Sequence, residues 1–170
     1  MKKKRKYLIT ILCLLILAGL AIVIIIFCRK YKLYEKYRYC ESYFGKELYT
    51  EIIYTCSNYE SEVGNIMVNK AEEVSAYLGE QEDIEDYIED VGALNKYYYF
   101  HVKNAASQES IFQFVTCKIS GNTGHVWVLS KSIWYDANGE RIASAGEHPV
   151  LWYIERLGDE WQVVGIDEQP

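Results

Sequence analysis

Proline is nearly missing from this sequence: Pro149 and Pro170 are the only two in 170 residues, so nothing before residue 149 breaks a helix by that route. Histidine is scarce as well. His101, His125 and His148 are far apart and no paired His or Cys motif accompanies them, so the ligand spacing of a zinc site is lacking and no metal or cofactor is expected. A glycine-rich phosphate loop, a Gly-x-Ser-x-Gly elbow and a Cys-x-x-Cys pair are all missing, which leaves nucleotide hydrolysis, serine hydrolysis and thioredoxin-type exchange without support. Basic residues are short in most of the chain. Ten of the 18 lie within the first 38 positions, against the single acid Glu35; from residue 39 onward 8 bases face 23 acids, a net of −15. Such a surface repels phosphate backbones, which argues against nucleic acid as a partner.

What is there begins with a run of apolar residues. Tyr7 to Phe27 carries no charge, and at ~1.5 Å per residue it spans roughly 30 Å, the thickness of a bilayer core. The reading is a basic tail at 1–6 and a transmembrane helix at 7–28, with the lipid bilayer as its first partner. Tyr7, Tyr31 and Tyr34 mark the two interfaces. A cleaved signal peptide has a shorter apolar stretch; here Gly19-Leu20-Ala21 imitates a cleavage site, but Ile22 to Phe27 stay apolar and Arg29 and Lys30 follow, which favours retention. Cys13 follows Leu12 and Cys28 follows Phe27, so neither has the small residues that precede a lipidated cysteine. Five bases flank each side of the span. The leading five are consecutive, Lys2 to Lys6, and a compact basic tail resists translocation, whereas a long following domain crosses regardless of charge. The tail is therefore expected inside and the domain outside, and the lack of an Asn-x-Ser/Thr acceptor agrees with a bacterial envelope.

Roughly 140 residues remain, about the commonest size of one domain. Half of the sequence is apolar and 15% aromatic, with 16 tyrosines, enough to build a core. Leu33, Tyr37, Cys40, Phe44, Leu48, Ile52 and Cys56 recur every three or four residues, predicting a juxtamembrane helix over 29–60 that continues the membrane helix. Val63, Ile66, Met67, Val74 and Leu78 predict a second helix ending near Gly79. Ile84, Tyr87, Ile88 and Val91 predict a third, stopped by Gly92. The third helix is acidic on its other face, but the ligand spacing and glycine of a calcium loop are missing, and a solvated face is the simpler account.

From Asn95 the period changes to two. Strands are expected at Tyr97–Val102, Ile111–Ile119, Val126–Tyr135, Arg141–Ala145, Val150–Leu157 and Trp161–Ile166, with short Gly-containing turns that indicate antiparallel hairpins. Gly146 and Pro149 are placed to bend or bulge one long strand over 141–157. Helices followed by a curved antiparallel sheet define an α+β domain. This order, closed by the hairpin-like stretch 152–167 (WYIERLGDEWQVVGID), resembles the NTF2-like (cystatin-like) superfamily over residues 40 to 167. The resemblance implies a cone-shaped pocket more than it implies an activity, because that superfamily holds enzymes, ligand-binding proteins and scaffolds. The VirB8-like subunits of conjugation and secretion machines share the arrangement of tail, span and outer domain, but their Asn-Pro-x-Gly signature is missing here.

Candidate chemistry is sparse. Alternation places His101 with Tyr97 and Tyr99, and His125 with Trp127 and Leu129, so His101 and His125 are the candidate proton-transfer groups of a hydratase or isomerase. A packed histidine is the plainer reading of each. Tyr97, Tyr99, Trp127 and Trp152 are the candidate pocket or partner residues. Cys40, Cys56 and Cys117 give no even disulfide framework and read as free thiols. The expected role is a membrane-anchored, extracytoplasmic, non-catalytic module that binds an envelope protein, a second copy or a small ligand.

Overall fold

A computed structural model of the chain describes residues 2–76, 91–97 and 102–168. It divides into two compact units, 1–38 and 39–170. The first is dominated by helix α1, Lys2–Lys36, whose stretch from Thr10 is long and apolar enough to cross a membrane. Its isoleucines, leucines and valines are exposed from Ile11 to Ile26. Tyr31 stacks on Phe27 and Tyr34 on Tyr31, with ring centroids 6.4 and 6.5 Å apart, one helical turn at a time. Lys36 lies in the last turn, where a cation suits the helix dipole.

The second unit is an α+β domain. Among the described residues its sheet has four antiparallel strands in the order β1-β2-β3-β4: β1 Ser107–Ser120, β2 Thr123–Tyr135, β3 Arg141–Leu157 and β4 Glu160–Glu168. Each connection is a tight turn, helped by glycines at positive φ: Gly121, Gly139 and Gly158. Asp136 accepts the N–H groups of Asn138 and Glu140 at 2.9 Å, which folds the β2–β3 turn around one carboxylate.

Both faces of the sheet are covered. On one, helix α4 (Asn58–Ala76) lays Val63, Met67, Ala71 and Val74 against Phe112, Cys117, Val126, Val128, Trp152 and Val163. Gly64 lets the Phe114 ring approach so closely that a Cβ there would collide with it. On the other face, Phe44 and Tyr49 meet Trp127 edge to face, with centroids 4.8 and 6.4 Å away. Trp127 and Trp152 are near neighbours in register but point to opposite layers, since Val126 pairs with Trp152 and Trp127 with Leu151.

Three expectations need correction. The predicted helix over 29–60 is not continuous: α1 ends at Lys36, and residues 38–53 form four short pieces, a 3-10 turn at Arg38–Cys40, α2 Glu41–Phe44, α3 Lys46–Thr50 and a 3-10 turn at Glu51–Ile53. Gly45, at φ 82°, breaks the run: of the stripe, Cys40, Phe44 and Ile52 are buried without one helix to carry them, and Tyr49 is buried where Leu48 was expected. The strand expected at Tyr97–Val102 does not include Tyr97, which ends a 3-10 turn at Gly92–Tyr97. Asn104 at φ 69° turns the chain just before β1, which starts at Ser107. The two strands expected within 141–157 are one. Ser130 pairs with His148 but Ser132 with Ala145, so Gly146 and Glu147 bulge opposite Lys131. Leu78, Gly79 and most of the acidic third helix lie outside the described residues, as do Tyr99 and His101.

Candidate functional site

Where the 3-10 turn Gly92–Tyr97 crosses the end of the sheet, a cavity of about 120 Å³ opens among Lys96, Tyr97, Gln108, Ser130, Ser132, Trp134, Ala145, His148 and Glu168. The turn is fixed from behind by Gly92, at φ 58°, where any Cβ would stand 2.6 Å from the Val163 carbonyl oxygen. That close approach brings Tyr97 over the sheet, with its ring 4.6 Å from Phe112 and 6.0 Å from Trp152.

A chain of hydrogen bonds crosses the cavity floor. The Trp152 indole N–H donates to the Tyr97 hydroxyl at 2.9 Å, and that hydroxyl donates to Glu168 Oε1 at 2.8 Å. Lys96 Nζ pairs with the other oxygen, Oε2, at 2.8 Å. Burial, followed by the Glu168 charge, pushes the Tyr97 phenol well above its ordinary value, so it stays protonated and holds its donor role. The opposite wall is a second network: Trp134 Nε1 donates to Gln108 Oε1 at 3.0 Å, Gln108 Nε2 donates to Ser110, and Ser110 shares a 3.0 Å bond with Ser132. His148 Nδ1 lies 2.9 Å from the Gly146 carbonyl within the bulge.

The structure therefore unites Tyr97 and Trp152 and separates Trp127 from them. Trp127 sits in the other layer, where its fully enclosed indole N–H has no partner among the described residues. His125 is in that other layer as well. Its Nδ1 lies 2.8 Å from Glu51 Oε2, its ring meets Tyr153 edge to face at 5.3 Å, and Lys118 holds the other Glu51 oxygen at 2.7 Å. Asp167 also faces away from the cavity, accepting the Tyr43 hydroxyl at 2.9 Å. Among the described residues no three His, Cys, Asp or Glu side chains come together as a metal site. A larger groove, about 320 Å³, runs between α4 and the β3–β4 turn over Val63, Met67 and Trp161. Its rim charges are already paired, Lys70 with Glu160 and Arg156 with Asp159, each at 3.5 Å, and it gathers no reactive groups.

The sequence reading missed Lys96, Gln108, Ser130, Ser132, Trp134 and Glu168, and it counted His148 among the histidines of the sheet half without giving it a place at the site. Glu168 pairs with Val150 and so shares a face with Trp152 two residues on, but parity counted from Trp161 and Val163 points to Asp167 instead, because Val164 bulges between the Ile154–Val163 and Tyr153–Gly165 pairs. His148 was hidden by the bulge, which resets parity between Ala145 and Pro149. No family model matches this chain, and no curated protein matches it either.

Proposed function

We propose that the chain is a single-span membrane protein whose α+β domain, NTF2-like in kind, stands outside the cytoplasmic membrane of a bacterial envelope and binds without catalysing a reaction. The observation that carries this reading is the state of the cavity's ionisable groups. Glu168 is spent on Tyr97 and Lys96, the Tyr97 phenol is held neutral, and His148 is tied by Nδ1 to a carbonyl. A hydratase or isomerase needs an acid or base free to exchange a proton with substrate, and a nucleophile needs a base within hydrogen-bond reach. Around this cavity His148 Nε2 is left open, but no hydroxyl among the described residues is hydrogen-bonded to it, so no nucleophile–base pair is assembled. A matched, rigid polar wall suits recognition instead. The apolar stretch of α1 and the basic tail ahead of it support the anchored placement.

Two measurements on the full chain test this. In intact bacterial cells, a membrane-impermeant maleimide should label Asn138→Cys in the β2–β3 turn, in a Cys56→Ser background, while Lys3→Cys labels only after permeabilisation. Labelling of Lys3→Cys alone would place the domain inside and defeat the reading. A photo-crosslinking residue at Ala145, at the cavity, should then give an adduct that disappears when Ser130→Leu fills the space. No adduct from a correctly oriented, folded chain would count against a binding role.

A further inference from the structure

The charges around the cavity are matched, but several hydrogen-bonding groups are not. Ser130 stands directly across from His148 in the β2–β3 ladder. It is 3% exposed, and its hydroxyl has no hydrogen-bond partner among the described residues although it lines the cavity. That hydroxyl opens onto the cavity and is not sealed from it, so it is available to a ligand that enters there. The Gly146 carbonyl can only accept, so His148 Nδ1 donates to it, and Nε2 is the ring nitrogen left for a ligand, an acceptor in the neutral form of the ring. Each Glu168 oxygen takes one donor and keeps a lone pair. Ser132 has a single bond, to Ser110.

The spare groups are thus two hydroxyls and a majority of acceptors, which select a ligand that brings hydrogen-bond donors. Lys96 cancels the charge of Glu168 at 2.8 Å, so an ammonium ion meets a cation and a carboxylate meets an anion. A neutral ligand avoids both. The Trp134 indole has spent its N–H on Gln108 and, with Ala145, leaves apolar wall for C–H groups. At about 120 Å³ the space is well under the ~300–1,000 Å³ of pockets for drug-sized molecules, so it takes a small molecule or one terminal unit of a larger one.

We infer that this cavity binds a neutral polyol, with hydroxyl groups donated to His148, Glu168 and Ser130 and its C–H face against Trp134. The assignment rests on the binding reading above and adds the ligand class. A free polyol and the terminal sugar ring of a glycan present the same chemistry. Saturation-transfer difference NMR on the full chain in lipid nanodiscs, free of sugar detergents and referenced to empty discs, tests it with four probes: glycerol, methyl α-glucopyranoside, acetate and methylammonium. The expected result is saturation of a polyol's C–H protons, reduced at least about fivefold in Ser130→Ala and abolished in Ala145→Leu, with near-UV circular dichroism unchanged in both. Signal from glycerol points to a free polyol, and signal from the glycoside alone to a sugar terminus; either supports the inference. No polyol signal, or one that survives Ala145→Leu, overturns it. Acetate or methylammonium signal that vanishes in Ala145→Leu overturns the ligand class and leaves the binding reading standing, whereas new product resonances from any probe overturn the binding reading itself.

Discussion

The Glu60 carboxylate, in the first turn of α4, accepts the backbone N–H of Ile119 on β1 at 3.0 Å. The same side chain closes a capping box: Glu60 Oε2 accepts the Ser57 N–H at 2.7 Å while Ser57 Oγ accepts the Glu60 N–H at 3.3 Å. The Tyr54 hydroxyl donates to it as well. One buried acid therefore joins the start of the main helix to the edge strand. Glu60→Ala strips a cap and leaves the Ile119 donor without its acceptor, and it should cost about 2–4 kcal/mol. Urea unfolding followed by tryptophan fluorescence checks this, and Glu60→Gln, which keeps the shape, should cost less.

The same site has a pH signature. Burial alone would raise the Glu60 carboxyl, but the Ile119 and Ser57 N–H groups and the Ser57 and Tyr54 side chains outweigh it and hold the group below its ordinary value of 4.5. A depressed folded pKa adds stability that is fully present above the unfolded value and is lost as pH falls through the folded one. The stability gap between wild type and Glu60→Gln should be the same at pH 7 and pH 6, and should shrink once the pH drops below 4.5.

Much of this fold can be read from residue order, and the limits are physical. Ser57 followed by Glu60 ahead of Val63 and Met67 is a helix-start signal that the helix expected over 29–60 ran straight through. The β-branched and aromatic runs Val126–Tyr135 and Trp161–Ile166 locate β2 and β4, although Val164 bulges within the second. Parity fails where one extra residue intervenes, as at Gly146 and Glu147, and periodicity fails where a residue such as Gly45 keeps the apolar spacing but turns the backbone away from a helix. The cavity was illegible for a different reason. Tyr97 and Glu168 are 71 positions apart and Gln108 and Trp134 26 apart, and such meetings depend on the closed sheet.

Gly92 offers a test of how the cavity is positioned. Its φ of 58° suits glycine, and a Cβ would also stand 2.6 Å from the Val163 carbonyl oxygen. Gly121 shares the positive φ, at 63°, but has open space around it. Gly121→Ala should therefore cost about 1 kcal/mol for the backbone alone. Gly92→Ala should cost roughly twice that or more, because β4 or the 3-10 turn must move. Thermal unfolding of the two variants side by side separates strain from collision.

Thiol chemistry should follow burial. Cys40 and Cys117 are buried and Cys56 is partly exposed, all as free thiols. Burial, then the Glu60 charge, pushes Cys117 from an ordinary 9.0 up to about 12, and burial raises Cys40 too. At pH 8 the thiolate of Cys117 is scarcer than that of an ordinary cysteine by about a thousandfold, before access is considered. Peptide-resolved mass spectrometry after iodoacetamide treatment should find Cys56 alkylated in the native domain, with Cys40 and Cys117 modified only in urea. Fast native alkylation of Cys117 would mean that β1 opens readily.

Tyr97→Phe removes one oxygen and breaks two hydrogen bonds of the cavity floor. Trp152, fully buried, would keep its indole N–H without an acceptor, and Glu168 would keep only Lys96. An unsatisfied buried donor costs ~1–3 kcal/mol, so the variant should lose about that much, even though Phe fits the ring's contacts with Phe112 and Trp152. Because the phenol's folded pKa is raised, its contribution is fully present below the ordinary value of 10.0 and is lost as pH rises through the folded one. The stability difference between wild type and Tyr97→Phe should therefore be flat from pH 6 to pH 9. The Trp152 indole N–H resonance should shift upfield in the variant as its hydrogen bond is lost, while that of Trp161, bonded to Tyr59 at 3.0 Å on the far side of α4, should stay in place. A variant that keeps full stability with an unmoved Trp152 resonance would show that the floor network carries no weight, and with it the rigid wall on which polyol recognition depends.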